Sequence, residues 1–177
     1  MLISSLTLQA QKKIKFKNIS EIRSGAIYKI GKNQVPEFLQ FENLENLEHV
    51  QFKYMDAEVL EKLSEAKNLE TLKINRAEIE FLKESVCEFQ NLETLDLSSN
   101  PISSLPACLC DLKNLKHLIL WDTQVASFDD CFSEMDLRTL DLKGVVINYD
   151  EYNLLLQLFE ERILTTEEPC DCEFKND

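Results

Sequence analysis

The sequence repeats itself at intervals of 22 or 23 residues, and this feature constrains the fold more than any other. Residues 68–74 (NLETLKI) recur as residues 91–97 (NLETLDL). Weaker copies begin at Leu47, Leu115 and Leu137, and a degenerate unit begins at Gly25. None of these six units is long enough to bury its apolar face alone. The repeat therefore predicts a solenoid, in which neighbouring units stack and share one continuous core.

Each unit combines a strand-like pattern with a longer apolar return. The best unit contains, in order, Leu92, Leu95, Leu97, Asn100, Ile102, Leu105, Pro106, Leu109 and Leu112. This pattern resembles the leucine-rich repeat family, in which Leu-x-x-Leu-x-Leu precedes an Asn, a further Ile or Leu, and often Leu-Pro. The resemblance covers residues 25–150. It implies an α/β solenoid with a curved parallel sheet on the concave side and short helices, 3₁₀ or irregular turns on the convex side.

The repeats divide the chain into three predicted parts: an N-terminal cap over residues 1–24, a leucine-rich-repeat array over residues 25–147, and a C-terminal cap helix with a tail over residues 148–177. Caps are expected because solenoid ends expose core. At the C-terminal end, Asn148 and Glu151 form a helix start signal, and apolar residues follow at helical spacing. At the N-terminal end, Ile14 and Phe16 alternate with lysines, which favours an edge strand.

Local signals predict how the chain returns from one strand to the next. Asp56 is a helix-capping residue, and Val59 and Leu63 after it share one helical face, so the unit that begins at Leu47 is predicted to return by a helix. The other units contain Pro106 or few helix formers, and we predict that they return in short 3₁₀ or irregular turns.

The asparagine of the family consensus satisfies backbone groups in the loop after the strand. In this chain only Asn33 and Asn100 occupy its position, and the other four units have Met55, Ala77, Thr123 and Val145 there. Four loops therefore need other partners for their buried polar groups, and we expect those loops to be irregular.

The chain has six cysteines. Cys87 and Cys110 occupy equivalent positions on the return segments, as do Cys108 and Cys131, and we predict that all four are reduced thiols that fill space. The remaining two form Cys170-Asp171-Cys172, which is similar to the caps of extracellular leucine-rich repeats but has no downstream cysteines to pair with. A zinc site there would need two more soft ligands, so no metal is predicted.

Charge and hydropathy exclude several classes of partner. The 177 residues include 19 Lys and Arg against 32 Asp and Glu, a net charge of −13, which argues against a nucleic-acid groove because phosphate binding needs clustered cations. No apolar stretch reaches 18 residues, so no membrane span is predicted. Residues 1–10 lack the basic start of a signal peptide, and we expect a cytoplasmic protein, or an effector delivered into a host cytosol without a cleavable signal.

No group of residues suggests catalysis. The only two histidines, His49 and His117, are expected to stand about 14 Å apart on the sheet, too far to share a metal or a proton. The three glycines form no phosphate-binding loop. We therefore predict no enzyme activity, no cofactor and no small-molecule substrate.

In leucine-rich repeats the consensus leucines point inward, so the residues between them are displayed on the concave face. Eight of the displayed residues are basic and six acidic, a net charge of +2, which leaves −15 on the rest of the chain. Ile119 and Trp121, the only Trp, also fall at displayed positions. An exposed aromatic flanked by charges is the composition of a binding hot spot.

We therefore predict a partner-binding patch centred on Trp121 and Ile119 and completed by Tyr54, Lys73, Arg76, Asp96, His117, Asp122, Asp141 and Lys143. The predicted function is a non-catalytic module that binds a protein partner on its concave face and is a monomer when free. The chain also resembles small leucine-rich-repeat effectors of intracellular bacterial pathogens, which implies binding and inhibition of a host protein or of another effector. An accessory or substrate-recognition subunit of a ubiquitin ligase or phosphatase is the alternative.

Overall fold

The computed structural model describes residues 13–15, 22–125, 127–159 and 164–167. Eight strands form one sheet in chain order, and all neighbouring strands are parallel. The strands are β1 Lys13–Lys15, β2 Ile27–Ile30, β3 His49–Phe52, β4 Thr71–Ile74, β5 Thr94–Asp96, β6 His117–Ile119, β7 Thr139–Asp141 and β8 Leu164–Thr165. The predicted solenoid is confirmed.

The register of the sheet stacks equivalent positions of successive units. One apolar row runs through Tyr28, Val50, Leu72, Leu95, Leu118 and Leu140, which pair strand by strand and are all buried. Each unit thus places its apolar side chains on those of the next, and the core continues across the repeats. Burial of this row stabilises the fold, since each fully buried apolar side chain contributes about 1.5–3 kcal/mol.

The return segments follow the local signals closely. Helix α2 spans Ala57–Leu63, and the Asp56 side chain accepts a hydrogen bond from the Val59 amide at 2.9 Å, as predicted. Three later units return through the predicted 3₁₀ helices, at Glu84–Glu88, Ala107–Asp111 and Asp130–Glu134.

The first return segment differs from the prediction of a 3₁₀ or irregular turn. A 3₁₀ turn at Lys32–Gln34 continues into a short α-helix, α1, at Val35–Leu39. A proline lies in the first turn of α1, where its missing amide hydrogen is not needed. The helix persists because it buries Phe38, whose ring packs edge-on against Phe52 with 5.3 Å between centroids.

One consensus asparagine serves two units. The Asn100 amide group donates to the backbone carbonyls of Ile74 and Leu97, both at 2.7 Å, and its side-chain oxygen accepts from the Ala77 amide at 2.9 Å. Asn33 occupies the equivalent position but is exposed in the first 3₁₀ turn. The sequence therefore identifies the position correctly but not which asparagine performs the role.

Thr123 supports its own loop in place of asparagine. Its hydroxyl is buried and donates to the Leu120 carbonyl at 2.7 Å, the contact that corresponds to Asn100 with Leu97. A hydroxyl reaches only one of the backbone groups that an amide reaches.

The loops after four successive strands share a left-handed residue, at Arg76, Ser99, Asp122 and Gly144. The backbone amides of the first three donate to carbonyls of the next unit, at 3.3, 2.8 and 2.9 Å. The positive φ turns each amide toward its neighbour, so the loops follow one repeating conformation. Glu78 also has a positive φ, and its loop has Ala77 at the asparagine position. Of the four loops expected to be irregular, those with Met55 and Ala77 depart from this conformation, and those with Thr123 and Val145 follow it.

The prediction that four cysteines are reduced thiols is wrong. Disulfide bonds join Cys87 to Cys108 and Cys110 to Cys131. The second bond repeats the first 23 residues later, and each joins the 3₁₀ helices of adjacent units. The Cα atoms of each pair lie 5.9 Å apart, within the range that a disulfide spans. The bonds join non-equivalent positions of adjacent units, whereas the repeat aligns Cys87 with Cys110 and Cys108 with Cys131.

The sheet continues past the last helix. Helix α3 spans Tyr149–Leu158, and Asn148 and Glu151 form the predicted capping box, each side chain accepting from the backbone amide of the other at 2.9 Å. Strand β8 then pairs with β7, which the prediction of a helix and tail did not include. Cys170 and Cys172 lie outside the described residues.

Most of the predicted N-terminal cap also lies outside the described residues. Within it, β1 pairs with β2 and forms the first edge of the described sheet, as the alternation of lysines and apolar residues predicts. None of the helices in the described ranges has both the length and the apolar character needed to cross a lipid bilayer.

Candidate functional site

Three rows of side chains line the face of the sheet opposite the return segments. The central row consists of Lys29, Gln51, Lys73, Asp96, Ile119 and Asp141. The histidine–threonine row lies two residues earlier and consists of Ile27, His49, Thr71, Thr94, His117 and Thr139. The loop row lies two residues later and consists of Gly31, Lys53, Asn75, Ser98, Trp121 and Lys143.

The two histidines make the same contact in different units. His49 Nδ1 lies 3.1 Å from the Thr71 hydroxyl, and His117 Nδ1 lies 3.1 Å from the Thr139 hydroxyl. His49 is buried and also lies near the carboxylate of Glu70, at 3.9 Å. Each histidine is thus held by the next strand, and His117 is half-buried at the edge of the predicted patch.

Asp96 is a structural residue rather than an exposed member of the patch. It is only 9% exposed, and its Oδ1 accepts from the Asn75 amide group at 2.7 Å and from the Ser98 amide at 3.1 Å. Asn75 in turn accepts from Gln51 at 2.9 Å, and Lys73 lies 3.6 Å from Asp96 Oδ2. Sequence reasoning missed Gln51 and Asn75, because it evaluated displayed residues one at a time and not across strands.

Trp121 lies on the outside of the core, 40% exposed. Its indole nitrogen is 3.6 Å from the position that a Cβ on Gly144 would occupy, so the ring lies over that glycine. Ile119 is half-buried in the central row, two residues before the indole. The sheet therefore presents an aromatic side chain that rests on the next unit.

Charged groups surround the indole. Asp122 and Lys143 are exposed, and Asp141 is half-buried with its carboxylate accepting from the Lys143 amide at 3.1 Å. With His117, Ile119 and Trp121 these residues form a contiguous group on units five and six. We call this group the tryptophan patch.

Tyr54 and Arg76 lie apart from the tryptophan patch. They follow β3 and β4, which at strand spacings of about 4.8 Å places them roughly 14 and 10 Å from the level of β6. The Lys32 ammonium group lies 4.9 Å from the centre of the Tyr54 ring, and a hydrogen bond to Asp56 raises the pKa of the Tyr54 hydroxyl. The ten predicted residues thus divide into the tryptophan patch, a second group near Tyr54, and the Lys73–Asp96 pair between them.

A second row of asparagines supports the other end of the strands. Asn68, Asn91 and Asn114 precede the first leucine of three units, and each donates to a backbone carbonyl of the preceding unit at 2.9–3.0 Å. These residues line a 410 Å³ depression together with Glu48, Glu70 and Glu93. The repeated Asn-Leu pair in the sequence is the signal for this row, although its role was not predicted.

Glu48 ties the first unit to the second. Its carboxylate accepts from the Ser24 hydroxyl and from the Gly25 amide, the latter at 2.8 Å. The Ser24 hydrogen bond, helped by the Gly25 amide and by nearby His49, lowers the pKa of Glu48 below its usual value despite some burial. Across the described ranges no three His, Cys, Asp or Glu side chains are grouped so that they could hold a metal ion.

Comparisons with known proteins agree with the repeat geometry. The family model described as leucine rich repeat matches residues 67–125. No protein among the curated sequences matches the chain. A leucine-rich-repeat protein of Leptospira interrogans has a similar structure, with a TM-score of 0.60 and 21% sequence identity over 81% of this chain and 38% of the other. The chain has the leucine-rich-repeat fold.

A second similar structure is an internalin of Listeria monocytogenes, with a TM-score of 0.49 and 14% identity over 81% of this chain. The chain spans 38% of the Leptospira structure and 50% of the internalin. Leucine-rich repeats are interaction modules, and their stacked sheets form extended concave surfaces that bind other proteins. In this chain the sheet carries the tryptophan patch at one end.

Proposed function

We propose that this protein is a non-catalytic module that binds a partner protein on its concave face, with Trp121 as the anchor. The supporting observation is that the indole is 40% exposed beside Ile119, on a face whose other central residues are charged or amide-bearing. Large aromatic side chains dominate binding energy when a partner buries them. Asp122, Asp141 and Lys143 form the polar rim in this proposal.

The hydrogen-bonded residues of the face give it a fixed shape. The links from Gln51 through Asn75 to Asp96 cross three strands, and His117 is held by Thr139. A surface ordered before binding loses little side-chain entropy when a partner docks. We therefore assign Asp96 and His117 a role in holding the binding surface, not in contacting the partner.

The nature of the partner is a further part of the proposal. The resemblance to small effectors implies that docking inhibits a host protein or another effector by covering its active site, and we propose this mode of action. We also propose that the free chain is a monomer. The accessory-subunit alternative stays a prediction, because no contact or surface described above favours it.

The disulfide bonds indicate the kind of cellular compartment in which the protein works. Disulfides persist in oxidising environments and are rare in the cytosol. The pairs Cys87–Cys108 and Cys110–Cys131 therefore favour a protein that works where its thiols stay oxidised, and we propose this in place of the cytoplasmic location. Thiol labelling of protein taken directly from its native cells tests the proposal. Full labelling of these four cysteines without prior reduction would restore the cytoplasmic hypothesis.

The binding proposal is tested in two stages. The partner is first captured from lysates of the source cells and of cells that they contact, then purified and titrated calorimetrically with this protein. Truncation of an anchor residue costs at least about 2 kcal/mol, so Trp121→Ala is expected to weaken binding about 30-fold. Size-exclusion chromatography of the variant checks that it remains folded.

Phe81→Ala is the matched control. Phe81 is an aromatic residue that is 71% exposed, but it belongs to a return segment and not to the concave face. We expect this variant to bind within about twofold of the unmodified protein. If Phe81→Ala weakens binding and Trp121→Ala does not, the partner uses the other side of the solenoid and the proposal fails.

A further inference from the structure

A wide basic pocket lies on the concave face at the opposite end from the tryptophan patch. It has a volume of about 580 Å³ and is formed where β2 and β3 lead into their loops. Lys29 from the central row, Lys53 from the loop row and Lys32 from the first 3₁₀ turn line it, together with the amide side chains of Gln34 and Gln51. We call this site the lysine pocket.

The three lysines have no acidic partners within the described residues. Four of the other described lysines form ion pairs with carboxylates, at Lys62–Glu65, Lys67–Glu88, Lys73–Asp96 and Lys116–Asp136. In the lysine pocket, by contrast, the described ranges provide no carboxylate partner, and Lys32 instead lies near the Tyr54 ring. No Asp or Glu of the described chain lines the pocket. A chain of net charge −13 thus concentrates three uncompensated cations in one depression.

Two of the amide side chains that line the pocket are already engaged. The Gln51 amide group donates to Asn75, and the Gln34 side-chain oxygen accepts from the Gly31 amide. These contacts fix the floor of the pocket, and the lysine ammonium groups are its charged donors. Ammonium groups donate only, so they recognise ligands that carry acceptors and negative charge.

The shape and surroundings of the pocket favour carboxylates over phosphate. A volume of 580 Å³ accommodates several carboxylate side chains, each next to its own ammonium group. A nucleic acid would continue along the face as a polyanion and meet the carboxylates of Asp122 and Asp141.

We infer that the lysine pocket receives an acidic segment, rich in Asp and Glu, of the protein that docks on the concave face. The inference rests on the proposed function and names the chemistry of its partner. Three strand spacings separate β3 from β6, so a partner that covers both sites carries its acidic segment roughly 14 Å from the group that covers Trp121.

The test uses a fluorescent peptide with four consecutive glutamates in a Gly/Ser background. A matched peptide has glutamine in place of glutamate. Binding is measured by anisotropy, and the site is located by NMR through shifts of the backbone amides of Gly31 and Gln51. We expect the glutamate peptide to bind at low salt, to lose affinity as salt rises, and to bind far more tightly than the glutamine peptide.

Two triple variants separate the pocket from general charge. Lys29→Gln, Lys32→Gln and Lys53→Gln together are expected to weaken binding of the glutamate peptide about tenfold, since three exposed charge contacts are lost together. Lys67→Gln, Lys83→Gln and Lys113→Gln remove the same charge from exposed positions elsewhere and should change affinity by no more than about twofold. Equal losses in the two variants would overturn the inference.

Other occupants give distinct results. Tighter binding of inorganic phosphate or of a single-stranded oligonucleotide than of the glutamate peptide would overturn the inference. So would salt-sensitive self-association of the chain, measured by sedimentation and lost in the pocket variant, because it would assign the pocket to a second copy. The proposed function fails separately, when Trp121→Ala leaves affinity for the captured partner unchanged.

Discussion

The indole of Trp121 lies over Gly144 of the next repeat, with its nitrogen 3.6 Å from the place of a Cβ on that glycine. Gly144 also has a φ of +76°, the left-handed conformation that its equivalents Arg76, Ser99 and Asp122 adopt with side chains. The glycine therefore does two things at once. It adopts the loop conformation without a steric penalty and leaves room for the aromatic ring.

Gly144→Ala is expected to lower the free energy of unfolding by about 1 kcal/mol, because a Cβ is unfavourable at positive φ. At 3.6 Å the new methyl group makes an ordinary contact, so tryptophan fluorescence should stay unchanged. Gly144→Val is expected to displace the ring as well and to shift the emission. Urea denaturation followed by fluorescence measures both effects.

Gly25→Ala controls for the backbone alone. Gly25 has a φ of +73°, and the space around its Cβ position is open to 4 Å. We expect the same stability loss as in Gly144→Ala with no effect at Trp121. A change of tryptophan emission in Gly25→Ala, or no change in Gly144→Val, would contradict the position of the indole over Gly144.

The disulfides are expected to contribute much of the stability of the middle repeats. Each closes a loop across 21 residues of sequence, and constraining the unfolded chain in this way stabilises by about 2–4 kcal/mol. Replacing Cys87 and Cys108 by serine should therefore lower Tm by roughly 5–12 °C. Differential scanning calorimetry with and without reductant measures the change.

The two bonds should not act independently, because both attach to the 3₁₀ helix Ala107–Asp111. When both pairs are removed, the loss in the free energy of unfolding is expected to differ from the sum of the two single losses by at least about 0.5 kcal/mol. The same Tm with and without reductant would show that the disulfides do not form in solution.

Asn100 and Asn33 form a matched pair for testing the role of the consensus asparagine in the loops. Asn100→Ala leaves two buried carbonyls and the Ala77 amide without their partners, and we expect a loss of about 2–4 kcal/mol in the free energy of unfolding. Asn33→Ala changes an exposed side chain at the equivalent position and should stay within about 0.5 kcal/mol. Similar losses in both variants would contradict the assigned roles.

This pair also explains how much of the fold the sequence reveals. Apolar spacing reports burial directly, so the strands, the register and helix α2 follow from it. The role of a polar residue depends instead on what the neighbouring unit presents. Asn100 faces the carbonyls of Ile74 and Leu97, whereas Asn33 is exposed in the 3₁₀ turn before α1. Spacing within one unit carries no such information.

The candidate site was predictable to the same extent. Trp121 and Ile119 are displayed because the repeat fixes which positions face out. Asp96 falls at such a position too, but Asn75 and Ser98 enclose it from adjacent positions. Predicting the disulfides would have required comparing Cys87 with a cysteine 21 residues later. That spacing is two residues shorter than the repeat and places the second cysteine on the adjacent return segment.

Glu48 is expected to make stability depend on pH below neutrality. Because hydrogen bonds from Ser24 and Gly25 lower its pKa in the folded protein, the unfolded chain binds a proton more readily. The stabilisation is therefore fully present above the unfolded pKa and is lost as pH falls through the folded value.

NMR titration of the Glu48 side-chain carbon should give a pKa below that of an unperturbed glutamate, and Ser24→Ala should raise it. In Glu48→Gln the stability difference from the unmodified protein should shrink as the pH is lowered, and a difference that persists unchanged at acid pH would contradict this origin.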